Sequence, residues 1–172
     1  MKKAFPNALS LWALPGLIAG IVFLSIALVT GAIVTNFWAL PDAIAHTLGI
    51  AAPAGYGFAL VPVLVGIGVH LAFSIGLGVI FTAIARWRRL HGWLLVVAGV
   101  LFIMLETPIS LWVVLYKLLP TATFFYFLGA VPWWGSVFGR CMYGLVLGLL
   151  VNHFSTWKPQ RPTTQLADES IA

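Results

Sequence analysis

From Leu9 to Thr35 the chain runs without one charged side chain. A stretch of ~20 apolar residues is enough to cross a ~30 Å hydrocarbon layer as a helix, and such a helix satisfies all its backbone polar groups internally. Three further apolar stretches follow at about 60–85, 93–116 and 135–153. Four segments of this length cannot be folded into one water-soluble core: the chain is 62% hydrophobic and 8% charged, against ~45–50% and ~25% in a soluble domain. The expected fold is all-α, a polytopic membrane protein built as a four-transmembrane-helix bundle. Residues 1–155 would form the bundle and residues 156–172 a disordered cytoplasmic tail, polar and proline-containing.

Met1-Lys2-Lys3 before an apolar run has the look of a secretory leader. The run is much longer than the ~7–15 residues of a leader's apolar region and no small-residue cleavage site follows, so it should remain as the first span. Between the first and second spans, residues 36–58 are punctuated by Pro41, Pro53, Gly55 and Gly57. The piece from Pro41 to Leu48 predicts a short helix, interfacial or re-entrant and not a span, with Asp42 in its first turn. Residues 118–134, broken by Pro120, Gly129 and Pro132 and rich in aromatics, predict a second apolar elbow.

Orientation follows from the basic residues. Lys2, Lys3, Arg86, Arg88, Arg89, Lys158 and Arg161 fall on one side of a four-span chain, and the positive-inside rule makes that side, with both termini, cytoplasmic. In a cell without organelles the location would be the inner membrane. The net charge of +5 is thereby spent on topology and does not form a basic face for nucleic acid.

Small residues at four-residue spacing mark helix contacts. Gly16 and Gly20 predict one in the first span; Gly144 and Gly148 predict another in the fourth. The second span carries two stripes on opposite sides, Gly68-Ala72-Gly76 and Gly66-His70-Ser74-Gly78, which predicts helix neighbours on both. An offset of seventy aligns His70, Ser74, Leu77 and Gly78 with Arg140, Gly144, Leu147 and Gly148. That echo suggests two hairpins of like orientation.

Polar groups inside the spans are few, and they are the candidates for chemistry. Glu106 is the only carboxylate with apolar sequence running far on both sides. A charge at the bilayer centre costs ~2.5–3.5 kcal/mol, so Glu106 should be neutral or paired. Its predicted partners are His70 at similar depth and Arg140 one reach away, with Ser74 and Ser110 completing an intramembrane polar cluster. Pro108, two residues on, removes a backbone donor from the same helix.

Apart from His91 and His153 at the cytoplasmic boundary, no pair of histidines falls at matching depth on facing spans, so no haem is expected, and no other cofactor is signalled. Asp42 and His46 are two metal donors without a third; a solvated helix edge is the favoured reading, and no metal site is expected. The lone Cys141 allows no intramolecular disulfide. No nucleophile motif, phosphate loop or paired carboxylates mark an enzyme. Two functions remain: a membrane protein whose polar cluster moves protons or a small solute, or an accessory subunit that packs into a homo-oligomer or larger membrane complex through its glycine stripes.

The segment Gly16 to Gly20, Leu40-Pro41-Asp42, Val69-His70 through Gly78, Arg89 to Trp93, and Tyr143-Gly144 with Gly148 together resemble the small bacterial four-helix membrane proteins of the YagU-like kind. The resemblance implies an integral inner-membrane protein and names no reaction. Where that family often has His, three residues before the Tyr-Gly pair, this chain has Arg140, so a His–His pairing does not carry over.

Overall fold

In a computed structural model, residues 8–50, 57–110 and 129–155 are described. Among them every regular element is helical: α1 (Ala8–Val34), α2 (Ala39–Thr47), α3 (Leu60–Trp87), α4 (Trp93–Ser110) and α5 (Trp133–Ser155). Four of the five, all but α2, are long and apolar enough to cross a membrane. The outward faces carry Ile33, Leu64, Phe73, Leu101 and Leu105, all well exposed. An exterior this apolar is the reverse of a water-soluble helix bundle, where the polar face looks out. The tail, the end of the third predicted span and the greater part of the second elbow lie outside the described residues.

The helices pair as α1 with α3 and α4 with α5, and α1 also packs along α5. Glycines set how closely they approach. At Gly16 and Gly78 the backbones of α1 and α3 meet directly, and Gly20 receives the side chain of Ser74. At the α4–α5 contact a Cβ on Gly144 would lie 2.6 Å from the Cα of Val100, and one on Gly148 would lie 2.6 Å from the Cα of Val96. These are distances that no side chain tolerates, so the glycines are what permits the contact. The seventy-residue echo is thus matched in packing, since Ser74 and Gly78 do for the first hairpin what Gly144 and Gly148 do for the second.

The α1–α5 seam uses large residues against small ones. Phe23 lies across Gly139, and Thr30 across Gly135. Around it a core of Ala19, Phe81, Leu95, Ile103, Tyr143 and Leu147 joins all four long helices. Tyr143 donates its hydroxyl to the Ser74 carbonyl at 2.9 Å, tying α5 to α3 across the centre.

Two expectations need correcting. Gly68 and Gly76 are exposed, and no described residue lies within 4 Å of a Cβ built on either. Among the described residues the second helix neighbour expected for α3 is not found, because α1 and α2 both pack on the Gly66–Gly78 side. Asp42 does not form a solvated edge: it is 0% exposed. Helix α2 presses its first turns onto α3, with the Pro41 carbonyl against Gly66, and Ala39 and Ala43 close against Ala130. A short helix with one acid reads as wet from its sequence; tertiary contact decides otherwise.

Candidate functional site

The ionisable candidates Glu106, Arg140 and His70 fall into two sets that share one aromatic ring. The first bridges α4 and α5. Glu106 Oε2 and Arg140 Nη1 are 3.8 Å apart, with side chains 13% and 19% exposed. Ser110, one turn along α4, donates its hydroxyl to the other carboxylate oxygen, Oε1. Arg140 also donates through Nη1 to Thr107 Oγ1 at 2.5 Å and through Nε to Ser136 Oγ at 3.2 Å.

Helical spacing explains why these residues meet. Glu106 and Ser110 stand four apart on α4, as Ser136 and Arg140 do on α5, and residues four apart share a helix face. Thr107 also donates to the Ile103 carbonyl at 2.8 Å, so its lone pairs are turned toward the guanidinium. Helix α4 continues through Pro108 to Ser110. The missing N–H at Pro108 leaves the Met104 carbonyl without its helical donor, so this turn is the most polar backbone of α4.

The second set lies between α1 and α3. His70 Nε2 bonds the Gly20 carbonyl at 3.0 Å, and its ring stacks on Phe23 with centroids 5.4 Å apart. Arg140 Cζ stands 5.9 Å from the centre of that same ring, within reach of a cation–π attraction. Phe23 is therefore the link between His70 and the Glu106–Arg140 pair. Gly139 makes room for it, leaving α5 notched beside Arg140.

Of the five predicted cluster residues, Glu106, Arg140 and Ser110 are brought together. His70 is directed to α1 rather than to Glu106. Ser74 is buried at 2% exposure and packs on Gly20 instead of reaching the carboxylate. Thr107, Ser136 and Phe23 were missed. For Thr107 and Ser136 a signal existed, one residue beyond Glu106 and four before Arg140; Phe23 is one apolar residue in an apolar run and carries none.

At the other end of the bundle Arg86 in the last turn of α3, and Arg88, Arg89 and His91 on the α3–α4 loop, are exposed. The Arg86 guanidinium lies 4.6 Å over the Trp12 ring. Arg89 and Gly92 take positive φ values of 52° and 57°. The N–H of Gly92 donates to Asn152 Oδ1 at 3.1 Å, which fastens the loop to the end of α5.

Among the described residues, fold and site define an all-helical protein with four helices fit to span a membrane and one half-buried acid–base pair between two of them. No family model, curated protein or solved structure matches the chain.

Proposed function

We propose that the protein is a small integral membrane protein of the inner membrane whose Glu106–Arg140 site moves protons or a small solute. One observation carries this reading. The carboxylate and guanidinium stand 3.8 Å apart, close enough to compensate each other but not joined by the two short parallel bonds of a locked carboxylate–guanidinium fork. The remaining bonds are to hydroxyls, which can donate or accept and so can follow a change in the charge they face. Both side chains keep some exposure, which leaves an approach from outside the pair.

Depth supports the same reading. Glu106 is thirteen residues along α4 from Trp93, or ~20 Å at 1.5 Å per residue, leaving ~10 Å of a ~30 Å core beyond it. The exposed arginines of the α3–α4 loop, with Trp87 and Trp93 beside them, support a cytoplasmic position for that loop and for both termini. The motifs shared with the YagU-like proteins support the inner membrane as the site.

The purified chain, reconstituted in liposomes with a pH-sensitive dye inside, should dissipate an imposed pH gradient. Glu106→Gln should abolish that flux while the variant still inserts and elutes as wild type does. Equal flux from the variant, or none from wild type under any imposed gradient, counts against proton movement.

A second reading, an accessory subunit or homo-oligomer, is favoured by the open Gly68 and Gly76 on α3. It predicts that mild-detergent purification yields a stoichiometric assembly and that Gly68→Leu releases the chain as a monomer. A wild-type monomer at all detergent ratios sinks it.

A further inference from the structure

Helix α2 holds a group that the Glu106–Arg140 site does not use. Asp42 is 0% exposed, and neither Oδ1 nor Oδ2 has a hydrogen-bond partner. Buried carboxyl groups are ordinarily bonded or paired; one that is neither strongly prefers its neutral form. The residues on either side of it on α2 are packed in three directions. The Pro41 carbonyl abuts Gly66 of α3, Ala39 and Ala43 lie on Ala130, and Leu40 sits with Leu24 and Ala27 of α1. A tie from Thr35 Oγ1 to the Ala130 carbonyl, 3.2 Å, holds the approach to α2 against the chain just before α5.

Among the described residues, few charged or titratable groups belong to the elements around it. Helix α1 has none between Ala8 and Val34, and residues 57–59 and 129–132 have none. On α3 there are His70, bonded to Gly20, and Arg86, on the Trp12 ring at the opposite end. On α5, Arg140 is engaged by Ser136, Thr107 and Glu106; Cys141, Tyr143 and His153 follow it. On α2 itself there is His46, a turn beyond Asp42. The position of Asp42 in the first turn of α2 favours the anion through the helix dipole, but a helix of nine residues offsets only a small part of the burial penalty.

We propose that Asp42 is a proton-operated latch of the elbow: α2 stays seated on α3 while the carboxyl holds a proton, and lifts to admit water when the carboxyl ionises. Burial pushes the Asp42 pKa up from 3.8 to about 6. Below ~4 the seated and lifted forms both keep the proton and seating is strongest. As pH rises from ~4 to ~6 only the seated form still holds it, so each step of pH favours lifting. Above ~6 both forms are ionised, and the seating equilibrium has fallen by the two-unit difference, on the order of 100-fold. Acid closes this elbow and neutral pH loosens it.

The chain has two aspartates, Asp42 and Asp168, which makes the test direct. With carboxyl-13C aspartate in the full chain, in nanodiscs of phosphatidylcholine, one signal should titrate near pH 6 and be absent from Asp42→Asn. Hydrogen exchange of the 39–47 amides, corrected for the intrinsic pH dependence of exchange, should lose protection on the order of 100-fold between pH 4 and 7. In Asp42→Asn that protection should be flat. Should Asp42→Asn not fold, Asp168→Asn assigns the signals and the wild-type titration decides. The latch is overturned if both aspartates titrate near 4, or if protection of α2 ignores pH. It is equally overturned if the midpoint moves when sodium replaces potassium, since the ligand would then be a metal cation.

Discussion

Arg140→Met should lower the stability of the folded chain by about 2 kcal/mol, somewhat less than breaking a fully buried ion pair because both side chains are part-exposed, and Arg140→Met with Glu106→Leu should regain most of it. The measurement is the midpoint of unfolding in mixed micelles of increasing SDS content. The reason is the asymmetry of the pair. Removing the guanidinium takes three contacts from the site at once, to Glu106, Thr107 and Ser136, and leaves a carboxylate with only Ser110 for company. Removing both charges leaves an apolar contact between α4 and α5, which costs little. If the double variant is no more stable than Arg140→Met alone, the pair is not what Arg140 is there to satisfy.

A comparable loss is expected from Gly144→Leu, by a different mechanism. The Cβ would fall 2.6 Å from the Val100 Cα and 2.7 Å from the Gly99 carbonyl oxygen, and backbone atoms cannot rotate aside as a side chain would. The helices must separate, which puts the cost at the top of the ~1–3 kcal/mol range for overpacking or past it. Gly68→Leu in the monomer is the control: with no described residue within 4 Å, its effect on the same unfolding midpoint should stay within ~0.5 kcal/mol. Equal losses at the two positions would mean that the contact at Gly144 does not hold the bundle together.

The spans were legible because run length and the placement of charge are local properties. The stretches expected at 9–35 and 60–85 are α1 (Ala8–Val34) and α3 (Leu60–Trp87), and the fourth, expected at 135–153, is α5 (Trp133–Ser155). Glu106, Ser110 and Arg140 were legible together for an energetic reason: an acid and a base in apolar runs have few other groups to satisfy them. Periodicity gives the face of a helix but not its neighbour. It set His70 correctly on a line with Gly66, Ser74 and Gly78, yet only the packed structure shows that this line meets α1 and α2, so that His70 finds the Gly20 carbonyl. The same blindness made the Gly68 stripe look like a contact and Asp42 look wet.

The seam between α1 and α5 bears on how the chain comes to be made. A ribosome finishes α1 first and α5 last, and α4 can find its glycine-notched partner only once α5 exists. Until then the α1–α3 hairpin stands with Phe23 and Thr30 turned toward a place that Gly139 and Gly135 will later occupy. The oldest helix therefore waits for the youngest. Among the described elements, a nascent chain stopped before residue 133 would hold α1, α2 and α3 packed together and α4 without its partner, and Glu106 would lack its counter-charge until α5 is made.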